Sequence, residues 1–468
     1  MSTKRAYSLD ALRGYAIITM ILSGTVASGV LPGWMYHAQV GPRSNFTFDP
    51  TVFGITWVDL VFPFFLFAMG AAFPFSLGSK YQLGVPMWKL ATDSILRGIK
   101  LTYFAIFIQH MYPWVISSPQ DTSAWLISLC AFVLMFLMFM RIPIVMPGWL
   151  RKVIELSAFG VGVAMMLTLP YANDRTFSLS YSNIIILVLA NMAIFGSLAY
   201  LFTIQNKWAR IAILPFVMAV FLGSSTAGSW VKELMNFSPL PWMYSFYYLK
   251  YLFIIIPGSI AGEYLRNWLQ GESCAALSSA ERKRIPFILL LSVGIIVFNL
   301  YGLYMRYLVF NLVGTVVLLA CLFYLLKAES NNMTYWRRLF TAGAYLLMLG
   351  LFFEAYEGGI RKDHSTYSYY FVTSGLAFMA MIAFSILCDV YRWKSVTRPL
   401  EMAGQNPMIA YVAPQLVVMP LLNLTGLASF LPLLEQSAWP GFFRGIIITT
   451  LAALIAIAFT KLKCFWRT

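Results

Sequence analysis

The chain has three histidines, His37, His110 and His364. They are the natural candidates for proton transfer, because an imidazole changes charge near neutral pH. His37 sits in Trp34-Met35-Tyr36-His37-Ala38, and a polar loop rich in Gly and Pro leads from it to Gly54-Ile55-Thr56-Trp57-Val58-Asp59. Asp59 then opens an apolar run from Leu60 to Gly70. A carboxylate beside so apolar a stretch is costly without a partner, which makes it a functional candidate. Near an imidazole it would fix the tautomer and stabilise the protonated ring, and His37 would then take a proton from an attacking amine or hydroxyl. Asp59 equally suits a helix N-cap, where the helix dipole favours its charge. Pro63, one turn on, frees a backbone carbonyl, which fits a cavity wall or a simple packing kink. A lone histidine at a helix end is more often a hydrogen-bonded structural residue, and that reading stays open for each of the three.

Other polar groups interrupt the apolar sequence. In Ser8-Leu9-Asp10-Ala11-Leu12-Arg13-Gly14, Ser8 or Asp10 can cap a helix, and Asp10 and Arg13 are spaced i, i+3 for an ion pair. Arg13 is then either a simple basic anchor or a contact for an anionic cofactor. The segment from Glu354 to His364 is dense in charge, and fits a polar substrate or a solvated loop. Gln405 and Asn406 offer amides at the start of a later helix, for a ligand carbonyl or for bonds between helices. Trp34, Tyr36, Trp57, Trp114 and Trp242 could stack on sugar rings, or form the aromatic belt of a membrane protein.

The elements that must position these groups follow from composition. Of 468 residues, 60% are hydrophobic, 17% aromatic and only 11% charged, against about 25% charged in soluble domains. Mean hydropathy is +0.74. These values exclude a disordered chain, a nucleic-acid-binding domain and an ordinary cytosolic enzyme. A spanning helix needs about 20 apolar residues. Fourteen such runs occur, near 12–31, 53–77, 94–112, 123–140, 152–170, 181–203, 209–227, 246–266, 286–304, 307–327, 338–354, 369–391, 402–424 and 443–462. The sequence therefore predicts an all-α, polytopic transmembrane bundle forming one domain over 1–468.

Orientation comes from Lys and Arg, which favour the cytoplasmic side. With Lys4 and Arg5 inside and the runs alternating, 25 of these residues fall inside. The eight outside are Arg43, Arg175, Lys232, Lys250, Arg306, Arg361, Lys362 and Arg444. The net charge of +15 is then mostly a topology signal, with both termini cytoplasmic and all three histidines at the outer face. Asp10 and Arg13 at the start of the first run argue for an uncleaved helix rather than a signal peptide. Cys130, Cys321 and Cys388 fall within helices, while Cys274 and Cys464 face the cytoplasm, so no outer pair could form a disulfide. There is no CxxC, no metal-ligand spacing, no phosphate-binding GxxxxGK[ST] and no obvious internal repeat.

Several of these residues together resemble the heparan-α-glucosaminide N-acetyltransferase-like family of transmembrane acyltransferases. The resemblance rests on Ser8-Leu9-Asp10 with Arg13-Gly14, on His37-Ala38, and on Gly54-Ile55-Thr56 with Asp59-Leu60-Val61-Phe62-Pro63-Phe64-Phe65 and Met69-Gly70. It continues in Pro257 to Leu265, in Gly359 to Ser368, in Val372 to Ala377, in Cys388-Asp389-Val390, at Gly404 and Asn406, and at Lys461 to Trp466. It is strong over 5–112, 250–268 and 355–468, and faint over 140–245 and 270–350. The family implies about ten core helices, which leaves about four extra ones for the faint regions. It also implies a bacterial inner-membrane protein that moves an acetyl group from cytoplasmic acetyl-CoA to a glycan or amino sugar on the outer, periplasmic face. The family's catalytic histidine falls on His37 and its helix-opening aspartate on Asp59. On this basis Asp10, Arg13, Arg97, Lys100, Arg398 and Asn406 are expected around acetyl-CoA, and His364, Lys362, Trp57 and Trp34 around the acceptor. No metal and no nucleic acid are expected; membrane lipid is a partner, and a homodimer fits. Residues 39–54 widen the gap after His37 relative to the family, a family asparagine falls near Gly24, and a late-loop lysine falls near His364. Two other readings compete. One is a transporter or flippase for a glycan or lipid-linked sugar, with Glu263 and Asp389 as coupling charges. The other is a scaffolding subunit without chemistry.

Overall fold

A computed structural model describes residues 5–139, 147–271, 278–327 and 330–466. Lys4, Cys274 and the edge of the run at 123–140 lie outside the described residues. Each of the fourteen apolar runs falls on a helix. The first seven long helices are α1 Tyr7–Thr25, α2 Trp57–Gln82, α3 Met87–His110, α4 Thr122–Phe139, α5 Gly148–Thr168, α6 Ile184–Phe202 and α7 Lys207–Ser224. They are followed by α8 Leu252–Gln270, α9 Ser279–Met305, α10 Leu308–Leu325, α11 Asn331–Glu357, α12 Tyr367–Val390, α13 Lys394–Gln405, α14 Pro407–Leu424 and α15 Ala438–Lys461. Among the described residues there is no β-strand, and ten of these helices are long and apolar enough to cross a membrane by length and composition. The other long helices, α1, α3, α5 and α8, carry charges such as Asp10, Arg13, Arg97, Glu155 and Glu263.

The run at 402–424 is not one helix. It is divided at Asn406–Pro407, because proline excludes the residue before it from helical backbone. Residues 402–405 instead close the amphipathic helix α13. Ser8 does not cap α1 as expected: the cap position is Ala6, and Ser8 is buried inside the helix. Neither Pro63 nor Pro74 breaks α2.

Two close crossings build the frame. Gly258 and Gly262, spaced as GxxxG on α8, meet α2 at its bare backbone: a Cβ on either would lie 2.3 Å from Phe67 O or 2.2 Å from Ala71 O. Small residues at this spacing let helices approach where lipid supplies no hydrophobic drive. At the start of α1, Gly14 and Gly404 do the same against α13, where a Cβ would come within 1.8 Å of Leu400 O or 2.0 Å of Asp10 O. Farther along the chain, α9 turns into α10 through Arg306 in the left-handed conformation, φ 62°. Asn299 Oδ1 ties the two helices by accepting from Asn311 Nδ2 and Thr315 Oγ1, each at 3.2 Å.

The bundle has two chemically distinct ends. Cations assigned to one side by sequence gather at the end bearing His37. There Arg306 pairs with Glu354, Arg444 donates to Thr25 O at 2.8 Å, and Lys250 donates to Ser365 O at 3.0 Å. Arg13, Arg97, Lys207, Arg338 and Arg398 belong to the opposite, basic end.

Candidate functional site

The loop from 26 to 56 folds back over the start of α2. Tyr36 Oη donates to Ala27 O at 2.8 Å and accepts from Leu31 N at 2.9 Å, while Thr56 Oγ1 donates to Tyr36 O at 2.7 Å. Asp59 is not the N-cap but the third residue of the helix, behind Thr56. Its Oδ2 accepts from Thr56 N at 2.9 Å and from Ala38 N at 3.3 Å, so one carboxylate caps α2 and anchors the residue beside His37. Tyr369 of α12 donates to Asp59 O at 2.9 Å. Asp59 is fully buried, with its charge at the favourable end of the helix dipole.

His37 Nε2 lies 3.2 Å from Asp59 Oδ1 and 3.3 Å from Asp363 Oδ2. Lys362 Nζ stands 4.0 Å from the same Asp59 oxygen. Asp59 Oδ1 has no aligned hydrogen bond despite these neighbours. On the other side of the ring, Gln39 N donates to His37 Nδ1 at 3.0 Å. A backbone N–H cannot accept, so Nδ1 carries the lone pair and the ring proton sits on Nε2, facing two carboxylates.

The late loop, 358–366, is tied to this site by Gln39. Its side-chain Nε2 donates to Asp363 O, and its Oε1 accepts from Asp363 N at 2.9 Å. Pro50 O accepts from Gln39 Nε2 and from Arg361 Nη1, both at 3.3 Å, and Gly54 N donates to Ile360 O at 2.8 Å. Residues 39–54 therefore form the seat on which the late loop docks. Burial works to raise the Asp363 carboxyl, but the hydrogen bond from His37 and the charges of Lys362, His37 and His364 outweigh it and hold the group below its ordinary value.

The expected residues divide between the two ends. His37, Asp59, Lys362, His364, Trp34 and Trp57 share one end. His364 is exposed, Trp34 is exposed on a short turn, and Trp57 packs with Val26, Leu31 and Met35 while its indole N–H lacks a partner. His110 stands apart as a structural residue: Nδ1 bonds Ile106 O at 2.8 Å, Ser178 N donates to Nε2 at 3.4 Å, and Tyr171, Phe177 and Tyr181 surround the ring.

At the basic end, Asp10 pairs with Arg5 at 3.0 Å and lies 3.9 Å from Arg13. Arg13 and Arg97 are close enough to feel each other's charge. Arg97 is exposed on α3. Arg398 is exposed nearby on α13. Two expected contacts are already spent elsewhere. Lys100 Nζ is bound to Glu155 at 2.5 Å. Asn406 donates to Thr460 Oγ1 at 3.1 Å and Cys464 O at 2.8 Å and accepts from Trp466 N at 3.2 Å, so its amide pins the C-terminal segment and has nothing left for an acyl carbonyl. Asp363 and Gln39 complete the site without having been singled out. A carboxylate between Lys362 and His364 was the available signal for Asp363; nothing local in the sequence pointed to Gln39.

The family described as a domain of unknown function, DUF5009, matches residues 5–265. The chain belongs to the DUF5009 family. The match carries His37, Asp59, Gln39, Arg13 and Arg97, and it runs through 140–245. Lys362 and Asp363 come from beyond the matched residues. No curated protein matches the chain.

Proposed function

We propose that this DUF5009 protein is a membrane-embedded acyltransferase of about fourteen spans with both termini cytoplasmic, in a bacterial inner membrane. Acetyl-CoA enters at the basic end, where Arg13 and Arg97 suit its phosphates. The acceptor, a glycan or amino-sugar amine or hydroxyl, approaches His37 from the outer face. The reading rests above all on one observation: a partly accessible imidazole whose Nε2 stands 3.2 Å from Asp59 and 3.3 Å from Asp363 carboxylate oxygens while its Nδ1 accepts from Gln39 N.

In the reaction, the acceptor O–H or N–H displaces the Gln39 N–H from Nδ1 and gives its proton to that nitrogen. The acceptor atom bonds to the thioester carbon, the C–S bond breaks, and CoA leaves as the thiolate, which takes up a proton. Asp59 and Asp363 stabilise the imidazolium formed meanwhile. Direct transfer needs only this proton movement; an acyl-imidazole intermediate would use the same lone pair. Lys362 balances the second carboxylate. Glu263, a coupling charge in the transport alternative, is paired with Arg210 at 2.8 Å.

The test is acceptor-dependent release of free CoA thiol by purified protein in nanodiscs supplied with acetyl-CoA and a panel of amino sugars and glycans. The wild type releases CoA, and His37→Ala abolishes release at unchanged thermal unfolding. Full release by H37A would refute the role of His37, and no acetyl-CoA binding by the wild type would refute the reaction itself.

A further inference from the structure

Two adjoining cavities lie at the basic end, where α7 and α11 begin and α8 ends. The larger, about 420 Å³, is lined by Lys207, Glu263, Tyr264, Asn267 and Arg338. The smaller, about 120 Å³, shares Tyr264, Asn267 and Arg338 and adds Trp268 and Tyr335. Neither Arg13 nor Arg97 lines either cavity.

The charges lining the larger cavity do not cancel. Glu263 is its one carboxylate, and Arg210, itself 1% exposed, already neutralises it at 2.8 Å. Arg210 is committed inward, donating to Ser259 Oγ at 2.9 Å and Thr203 Oγ1 at 3.1 Å beneath the ring of Tyr200. Lys207 and Arg338 have no carboxylate partner among the described residues. Two cations thus face a concavity that holds no free anion. A separate observation concerns Tyr335 in the smaller cavity. It is 3% exposed and its hydroxyl has no hydrogen-bond partner, although a buried donor left unpaired is costly. Its ring stacks on Trp268 at 5.1 Å, and Trp268 Nε1 donates to Asn332 Oδ1 at 2.9 Å, so the aromatic wall is fixed. Beside the cavity, Trp208 is 69% exposed, as expected of a side chain at a membrane interface.

We infer that this cavity binds a phosphate group. Arg338 and Lys207 meet its oxygens, Asn267 supplies a neutral hydrogen bond, and Glu263 receives an amine or hydroxyl carried beside the phosphate. Basic pockets between helices at a cytoplasmic interface favour such groups. Two sources carry this chemistry: a phospholipid headgroup in the adjoining leaflet, and the phosphates of a soluble nucleotide such as the adenosine 3′,5′-diphosphate part of CoA. The inference stands whether or not the chain transfers acyl groups.

The experiment has two arms. Native mass spectrometry of the purified protein reads retained phosphatidylethanolamine or phosphatidylglycerol. Trp fluorescence titration with adenosine 3′,5′-diphosphate reads nucleotide, using Trp268 as reporter. Saturable binding is expected in one arm, weakened about tenfold by each of Lys207→Gln and Arg338→Gln, the size of one lost charge-assisted hydrogen bond. Lys461→Gln, outside the cavity at the same end, is expected to leave it unchanged, and thermal unfolding checks that every variant is folded. Retained lipid assigns the headgroup, and saturable nucleotide assigns the soluble ligand. A wild type that binds neither, or folded K207Q and R338Q variants that bind as the wild type does, overturns the inference.

Discussion

At the scale of single residues, Gln39 and Asp363 share one task and can be separated by substitution. The Gln39 amide holds the late loop through the backbone of Asp363, whereas the Asp363 carboxylate acts on His37. Asp363→Asn therefore keeps the loop seated and removes one charge from the ring proton. Acetyl transfer is expected to fall about tenfold, with thermal unfolding unchanged. Gln39→Ala leaves the Asp363 N–H without its acceptor, and is expected to cost about 1–3 kcal/mol and expose the late loop to protease. Acid separates the two further. The carboxyl of Asp363 lies lower in the folded chain than in an unfolded one, so its contribution is complete above the unfolded value of about 3.9 and is lost as pH falls through the lower folded value. Protection of the late loop, read by hydrogen exchange, should hold from pH 8 to 5 and slip only below about 4, to the slightly lower level that D363N, its loop still seated by Gln39, shows at every pH. Loss of protection near neutral pH would contradict the assignment.

At the scale of elements, the α2–α8 crossing decides where Asp59 stands relative to the rest of the bundle. Gly262→Ala would put a methyl 2.2 Å from Ala71 O, which neither backbone can yield to without the helices parting. We expect destabilisation of about 1–3 kcal/mol, read as a lower unfolding temperature in detergent. Gly294→Ala on α9 meets nothing within 4 Å and serves as the control, neutral or slightly stabilising. The helices themselves were largely legible in the sequence, since every apolar run but that at 402–424 became a single helix, because hydrophobic length is a strong local signal. The division at Asn406–Pro407 was carried by a proline inside an apolar run, and apolarity alone hid it. The site was legible in part. His37 and Asp59 lie 22 residues apart on consecutive elements, so their pairing could be read from one stretch of chain. Asp363 reaches His37 from more than 300 residues away, through a loop docked on Gln39, and tertiary contacts of that kind leave no periodic trace. Asn406 misled for a related reason: an amide near a helix start can as well satisfy its own protein as a ligand, and here it holds the C-terminal segment.

For the whole molecule, the sorting of cations implies an orientation that the two ends of the bundle make testable. Lys and Arg predominate at the end carrying Arg13, Arg97, Lys207 and Arg338, and under the positive-inside tendency that end is expected to face the cytoplasm. The acyl-transfer reading needs this orientation, because acetyl-CoA is a cytoplasmic donor and His37 must then face the other compartment. Two exposed positions report it: Phe48, 55% exposed in the loop after His37, and Leu83, 84% exposed in the turn between α2 and α3 at the basic end. With the native cysteines replaced, Phe48→Cys should react with a membrane-impermeant maleimide in sealed cells. Leu83→Cys should react only after lysis, because one crossing of α2 separates the two positions. Labelling of both in sealed cells would mean that α2 does not span. The opposite pattern would put His37 on the side of the CoA pool and leave the transfer no membrane to cross, so the same experiment judges the topology and the vectorial part of the chemistry while leaving the His37–Asp59 geometry as it stands.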